Sequence, residues 1–172
     1  NAKFNERYEA NLANGLGNFA NRVLVMIEKY CDGVIPKTTE INREMADYLT
    51  KTIFVDYNRA MNVWHFDRAL ESIWKFISYC DQMISDKQPW AMMKAGKEKE
   101  VRNILHHLAE SLRHIAIMIW PIMPETSEKL FAQLELDVAS ELAQPLSKLQ
   151  NWGKSVAGKK ILKPEQLFPR LI

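Results

Sequence analysis

Apolar residues recur at helical spacing along most of the chain. Advancing each residue by about 100° collects Leu12, Leu16, Phe19, Val23, Met26 and Tyr30 on one face. The pattern predicts a first helix over residues 5–30. It stops at Cys31-Asp32-Gly33 with Pro36 beyond, a normal glycine-then-proline ending. Thr38-Thr39 is the expected cap of a second helix, in which Met45, Leu49, Ile53, Tyr57 and Met61 share a face. Residues 62–65 form a break, and Phe66-Asp67 opens a third helix carrying Leu70, Ile73, Trp74, Ile77 and Cys80. Residues 85–89 interrupt again, because the residue before a proline disfavours helix. The fourth helix has the cleanest stripe, Val101, Leu105, Leu108, Leu112, Ile115 and Ile119, ended by Trp120-Pro121. Pro124 in a first turn with Glu125 and Glu128 starts a shorter helix through Leu134.

Beyond that point the signal weakens. Residues 137–150 read as partly helical around Pro145, and 153–172 as an extended tail with turns at Gly158 and Pro164. No run alternates as a strand would, and there is no Gly-rich phosphate loop and no internal repeat. The expected fold is all-α, an antiparallel bundle of about five helices with an extended C-terminal tail. Residues 1–150 would form the bundle and 151–172 the strap.

The polar side of the first helix changes the picture. Opposite the apolar stripe stand Arg7, Asn11, Asn14, Asn18, Asn21, Arg22 and Lys29. Asparagine is a poor helix former whose amide competes for backbone groups. An ordinary solvated face would use Glu, Lys, Gln and Arg instead. Asn and Arg together donate and accept hydrogen bonds in fixed planes, which suits the edges of unpaired bases.

Composition sets limits on that hint. A chain of 172 residues, 47% hydrophobic and 26% charged, is one ordinary domain with a real core. A net charge of +2 excludes a nonspecific polyanion sponge, so a nucleic acid would meet a local patch. Cys31 and Cys80 lack CxxC spacing, which fits reduced thiols in a cytosolic protein and argues against a thiolate zinc site. The longest apolar run, residues 115–120, is far below the ~18 residues of a spanning helix. The chain opens at Asn1 without an initiator Met and reads as a piece of something longer.

Four strings then resemble one family. Tyr8-Glu9-Ala10-Asn11-Leu12-Ala13-Asn14-Gly15-Leu16-Gly17-Asn18-Phe19-Ala20-Asn21-Arg22 resembles the opening helix of the anticodon-binding domain of bacterial-type methionyl-tRNA synthetases. Pro89-Trp90 followed by Lys94 resembles their PWxxxK stretch. Pro121-Ile122-Met123-Pro124-Glu125-Thr126 resembles their PxMPETAxK segment, and Leu167-Phe168-Pro169-Arg170 their closing LFPR. The strings occur in the family's order and span nearly the whole chain.

The resemblance implies a helix bundle that reads a CAU anticodon. By position, Asn18 and Arg22 match the pair contacting the cytosine at the first anticodon position. Trp90 matches the aromatic on which that base stacks, with Pro89 before it, while Asn14, Asn21 and Lys94 are supporting candidates. It further implies a cytoplasmic parent, a class I aminoacyl-tRNA synthetase that attaches methionine to its tRNA with ATP and Mg²⁺. Its partners would be initiator and elongator methionine tRNA, through the anticodon loop, and an N-terminal catalytic domain, with no membrane. The fragment alone would hold no cofactor or metal and catalyse nothing. The strap would pack on the bundle or on that missing domain.

Residue chemistry agrees with the implied site. Asn18 and Arg22 lie one helical turn apart on the face opposite the stripe. Arg only donates and an Asn amide does either, so the pair is expected to satisfy cytosine and mismatch uracil. Leaving a polar edge unpaired costs ~1–3 kcal/mol, and stacking a base on an aromatic adds another ~1–3 kcal/mol.

Each residue also has a plainer reading. Trp90 fits a core anchor as well as a displayed ring, Asn18 a loop brace, and Arg22 a partner for Glu28 or another acid. Asn11 and Asn14 fit structural roles. His107, Glu110 and His114 share a face that could hold a metal, but that face opposes the stripe and is expected to be solvated. His114-Ile115-Ala116 lacks the glycine of the ATP-binding HIGH motif, and no KMSKS-like loop occurs. Lys94/Lys97/Lys99 and Lys154/Lys159/Lys160 fit phosphate contacts or a charged surface, and the Trp and Met residues are expected mostly in the core. The rivals are the same domain of a valyl, leucyl, isoleucyl or cysteinyl synthetase, or a noncatalytic helical protein-binding module.

Overall fold

The structure, a computed structural model, describes residues 15–38, 40–143, 152, 156–162 and 167–168. Among these the chain forms α1 (Asn18–Cys31), α2 (Arg43–Tyr48), a wider π-helical segment (Leu49–Ile53) and α3 (Phe54–Asn62). There follow α4 (Phe66–Lys87), α5 (Pro89–Lys94), α6 (Glu98–Ile119), α7 (Pro124–Gln133) and α8 (Val138–Leu142). The fold is all-α, and the described residues hold a single isolated bridge, Val34 with Lys160. Five of the α-helices, α1, α3, α4, α6 and α7, are nine residues or longer.

The apolar stripes become the core. Leu16, Phe19, Val23, Ile27, Met45, Ile53, Ile73, Phe76, Leu105, Leu112 and Phe131 are all at or near zero exposure. Helix α6 is the axis, against which α1, α4, α5 and α7 pack. Tyr57 donates its hydroxyl to the Met118 carbonyl at 2.7 Å, pinning α3 beside the end of α6. Burial pushes that phenol up to about 12.

Two helix boundaries differ from expectation. The second helix starts at Arg43, because Asn42 accepts from the Met45 N–H at 3.1 Å and takes the cap. Thr38 instead donates to Asn103 Oδ1 at 2.6 Å, tying the loop to α6. The third helix runs through the expected break to Lys87, since the restriction before Pro89 is absorbed by one residue, Gln88.

The face of α6 holding His107, Glu110 and His114 is not solvated, contrary to expectation: all three are at most 2% exposed. From Leu105 to Ile119 helix α6 is covered on every side, so its period distinguished two packed faces rather than an inside from an outside. Elements distant in sequence supply the cover. Trp152 donates Nε1–H to His107 Nδ1 at 3.0 Å, and its ring lies against His114 at 5.2 Å. His107 Nε2 reaches the Glu40 carbonyl at 2.8 Å. Arg113 bonds Glu110 at 3.1 Å and Glu141 of α8 at 2.8 Å. Buried polar groups find partners, and here they do so without a metal-ligand cluster among the described residues.

The tryptophans also depart from expectation. Trp64 is 76% exposed and Trp90 38%, while Trp74, Trp120 and Trp152 are half-buried. A wide amphipathic ring is seldom wholly covered. The methionines are buried or packed against the core.

The described part of the tail lies along the bundle. Ile35 N–H donates to the Lys159 carbonyl at 2.8 Å, Gly158 N–H to Ile35 at 2.8 Å, and Ile161 N–H to Gly33 at 2.8 Å. Val156, Ile161, Leu167 and Phe168 are buried. Cys31 and Cys80 are separate buried thiols, and burial pushes Cys80 up to about 12. The expected helix start at residue 5, together with Asn11, Asn14, Thr39, Pro145, Lys154 and Pro164, lies outside the described residues.

Candidate nucleic-acid interface

The local backbone around residue 88 sets the site. Gln88 donates its N–H to the Ile84 carbonyl at 2.9 Å, closing α4, and adopts φ 48, ψ 66. Its carbonyl accepts from Ala91 and Met92 at 2.8 and 3.1 Å, opening α5 at once. Pro89 occupies the first helical position, where its missing N–H costs nothing and its ring is buried. Trp90 follows on the outer side of this sharp corner. A left-handed non-glycine residue here is backbone strain at a corner whose product is a displayed indole.

Helix α1 supplies the facing groups. Its C-terminal end is fixed by the left-handed Asp32 and Gly33 and by the bonds that join Ile35 to the tail. The apolar side of α1 is buried, leaving Asn18 and Asn21 exposed and Arg22 at the boundary. The Arg22 Cζ lies over the Trp90 ring, 5.6 Å from its centre. Its Nη1 donates to Asp81 Oδ1 at 3.2 Å, and both side chains are about one-third exposed, at 37% and 36%. Partial burial pushes the Asp81 carboxyl above its ordinary value, while the Arg22 guanidinium pulls it back.

Arg22 and Trp90 are therefore in contact, and Asn18 stands one turn before Arg22 on the same helix. Asn21 and Lys94 are exposed, Lys94 one turn after Trp90 on α5. Asn14 lies outside the described residues. The acid that pairs with Arg22 is Asp81 on α4 rather than Glu28 on its own helix. Lys99 is engaged by Glu40 at 2.9 Å, which raises the lysine and lowers the carboxylate.

Sequence reasoning missed Asp81 and Gln88. A signal for Asp81 existed: it follows buried Cys80 and lies a turn from Ile77 and Ile84, so an acid borders the core face of α4. Nothing local marks Gln88, because its conformation follows from where α4 and α5 must each go.

A sequence model described as the anticodon-binding domain of tRNA ligase matches residues 42–166, and the chain belongs to that family. The matched segment includes Asp81, Pro89 and Trp90, while Asn18 and Arg22 precede it. Among individual proteins, the chain is 36% identical over 173 residues to methionine–tRNA ligase of Bacillus subtilis, covering 98% of this chain and 26% of that protein. It is 40% identical over 139 residues to the Enterococcus faecalis ligase, covering 78% and 21%. The fold matches the apo crystal structure of Mycobacterium tuberculosis methionyl-tRNA synthetase with TM-score 0.83 at 26% identity, covering 98% of this chain and 34% of that one. A second structure of that enzyme, in complex with methionyl-adenylate, matches with TM-score 0.76 at 29% identity, covering 96% and 32%. The chain spans about a quarter of the length of the curated relatives it matches.

Proposed function

We propose that this chain reads the CAU anticodon of methionine tRNAs as the anticodon-binding part of a methionine–tRNA ligase. The observation that carries the reading is the guanidinium of Arg22 set over the half-exposed Trp90 ring. A flat aromatic with a fork of donors beside it is what a splayed single base requires. The indole supplies stacking, which is sequence-tolerant. Edge groups from α1 then supply hydrogen bonds, with Asn18, Arg22, Trp90 and Pro89 as the recognition set and Asn14, Asn21 and Lys94 in support.

Initiator and elongator methionine tRNAs would both bind through their anticodon loops. The parent would carry the catalytic domain, use ATP and Mg²⁺, and work in the cytoplasm. Residues 1–150 would form the recognition bundle and 151–172 a strap bracing it. No helix among the described residues is long and apolar enough to cross a membrane.

The direct test compares an anticodon stem-loop carrying CAU with one made abasic at the first anticodon position. Losing the stacked base should weaken binding by ~1–3 kcal/mol. Equal binding of the two would contradict the reading.

A further inference from the structure

We propose that the turn between α3 and α4, where Val63, Trp64 and Phe66 stand exposed, is the docking point for the catalytic part of the parent ligase. The proposal rests on the reading above in one respect, that the chain is part of a methionine–tRNA ligase. It gives a partner to the end of the bundle that the anticodon does not reach.

Trp64 carries two costs that nothing within the described chain returns. Its backbone is left-handed at φ 59, a conformation that a bulky residue seldom adopts and that Gly or Asn takes more cheaply. Its indole is 76% exposed, with Val63 and Phe66 exposed beside it. The turn is nonetheless fixed. The N–H groups of Val63, Trp64 and His65 donate to the carbonyls of Ala60, Met61 and Ala60 at 3.2, 3.1 and 3.0 Å. The Trp64 ring meets Phe66 edge to face, with centroids 6.1 Å apart at 80°. The result is a rigid apolar knob. Contiguous exposed apolar surface marks a contact with another macromolecule, and tryptophan is among the residues that anchor such contacts.

The surroundings of the knob select the partner. In the adjoining groove Arg59, Arg68 and Lys75 are matched by Asp56, Asp67 and Glu71, so there is no excess of positive charge to draw a phosphate backbone. A mixed polar rim beside an apolar centre suits a protein surface. The 22 residues of α4 set the knob ~30 Å from the corner at Gln88. Both α1 and α4 run toward that corner. Helix α1 leads there to Pro36 and Thr38, which bond His106 and Asn103 in the first half of α6 at 2.8 and 2.6 Å. The N-terminus of α1 therefore points to the knob's end of the bundle, and a domain joined ahead of α1 lies on that side. The chain spans 26% of the Bacillus subtilis ligase, so most of such a protein stands outside it and supplies the covering surface. Three side chains fall short of the ~800 Å² per partner that a stable dimer buries. A domain tethered to the same chain docks through a smaller contact, because its effective concentration is high.

The test compares hydroxyl-radical labelling of the 172-residue chain with that of the intact ligase. Mass spectrometry reads oxidation at Trp64, Phe66 and Trp90 separately. Without RNA, Trp64 labelling should fall severalfold in the intact ligase while Trp90 keeps its rate. Trp64→Asp suits an exposed left-handed turn, and a thermal melt confirms that the variant is folded. In the intact ligase it should return Phe66 labelling to the level of the chain alone. Equal Trp64 labelling in chain and ligase overturns the proposal, as does Phe66 protection that survives Trp64→Asp. Protection of Trp64 in the chain alone that grows with its concentration assigns the knob to a second copy. Protection that appears only when methionine tRNA is added assigns it to RNA. Either result also overturns the proposal. Trp90 should be protected by a CAU stem-loop whether or not Trp64 is covered. Failure there would count against the anticodon reading alone, so the two failures are told apart.

Discussion

The Arg22 guanidinium rests over the Trp90 ring, its Cζ 5.6 Å from the ring centre, although the two residues come from helices far apart in sequence. A cation over an indole is an attractive contact in its own right. It also means that the stacking face is partly occupied before any base arrives. An incoming base must share or displace Arg22, and Asp81 is the post that keeps the guanidinium nearby when it moves.

Trp90 should then behave as a platform rather than as a core residue. Trp90→Ala should weaken CAU stem-loop binding by ~1–3 kcal/mol, with Trp90→Phe recovering part of the loss. Its effect on thermal stability should be small, because the ring is half-exposed and Pro89 keeps the corner. A large drop in melting temperature with unaltered RNA affinity would identify the ring as structural.

Arg22→Lys separates charge from shape. Lysine keeps the positive charge but loses the planar fork and its flat contact with the indole. Nonspecific attraction to RNA at low salt should survive while the preference for CAU narrows. Equilibrium binding at two ionic strengths, with CAU and UAU loops, reads both effects.

Gly33 ends α1 at φ 73, and an added Cβ would lie 2.8 Å from Glu28 Oε2. Gly33→Ala should cost about 1 kcal/mol or somewhat more, from backbone strain in the left-handed region. The carboxylate is the far end of a flexible, exposed side chain and can yield. Gly96 offers the control, with φ 74 and nothing within 4 Å. Similar losses for Gly33→Ala and Gly96→Ala in urea unfolding would assign the cost to backbone conformation.

His107 gives stability a pH dependence of predictable sign. Burial holds its imidazole below the ordinary value of 6.5, with the Glu40 carbonyl partly opposing. The Trp152 N–H pointing at Nδ1 favours the neutral ring as well. The unfolded chain takes up the proton first as pH falls, so this contribution is complete above 6.5 and is lost as pH drops through the depressed folded value. Melting curves at descending pH should show that loss, and His107→Gln should flatten it. Parallel acid profiles for both proteins would assign the loss to other groups.

Much of the bundle was legible in the sequence because its helices are amphipathic and end at Gly, Pro or Asn. The stripes at Phe19/Val23, Ile73/Ile77 and Leu105/Leu112 point inward as their spacing requires. The buried polar face of α6 was not legible, since periodicity reports contrast along one helix and cannot show that Trp152 and Glu141 will cover the other side. The site divided in the same way. Asn18 and Arg22 were visible as a helical face and Trp90 through its proline. Asp81 became apparent only when α1 and α4 were side by side.

The most direct measurement is the affinity of this chain for stem-loops carrying CAU and UAU at one fixed low salt concentration, repeated with the intact ligase. Base reading by Arg22, Trp90 and their neighbours requires tighter binding of CAU in both, with Trp90→Ala weakening it. Equal binding of CAU and UAU by the chain and by the intact ligase would contradict it.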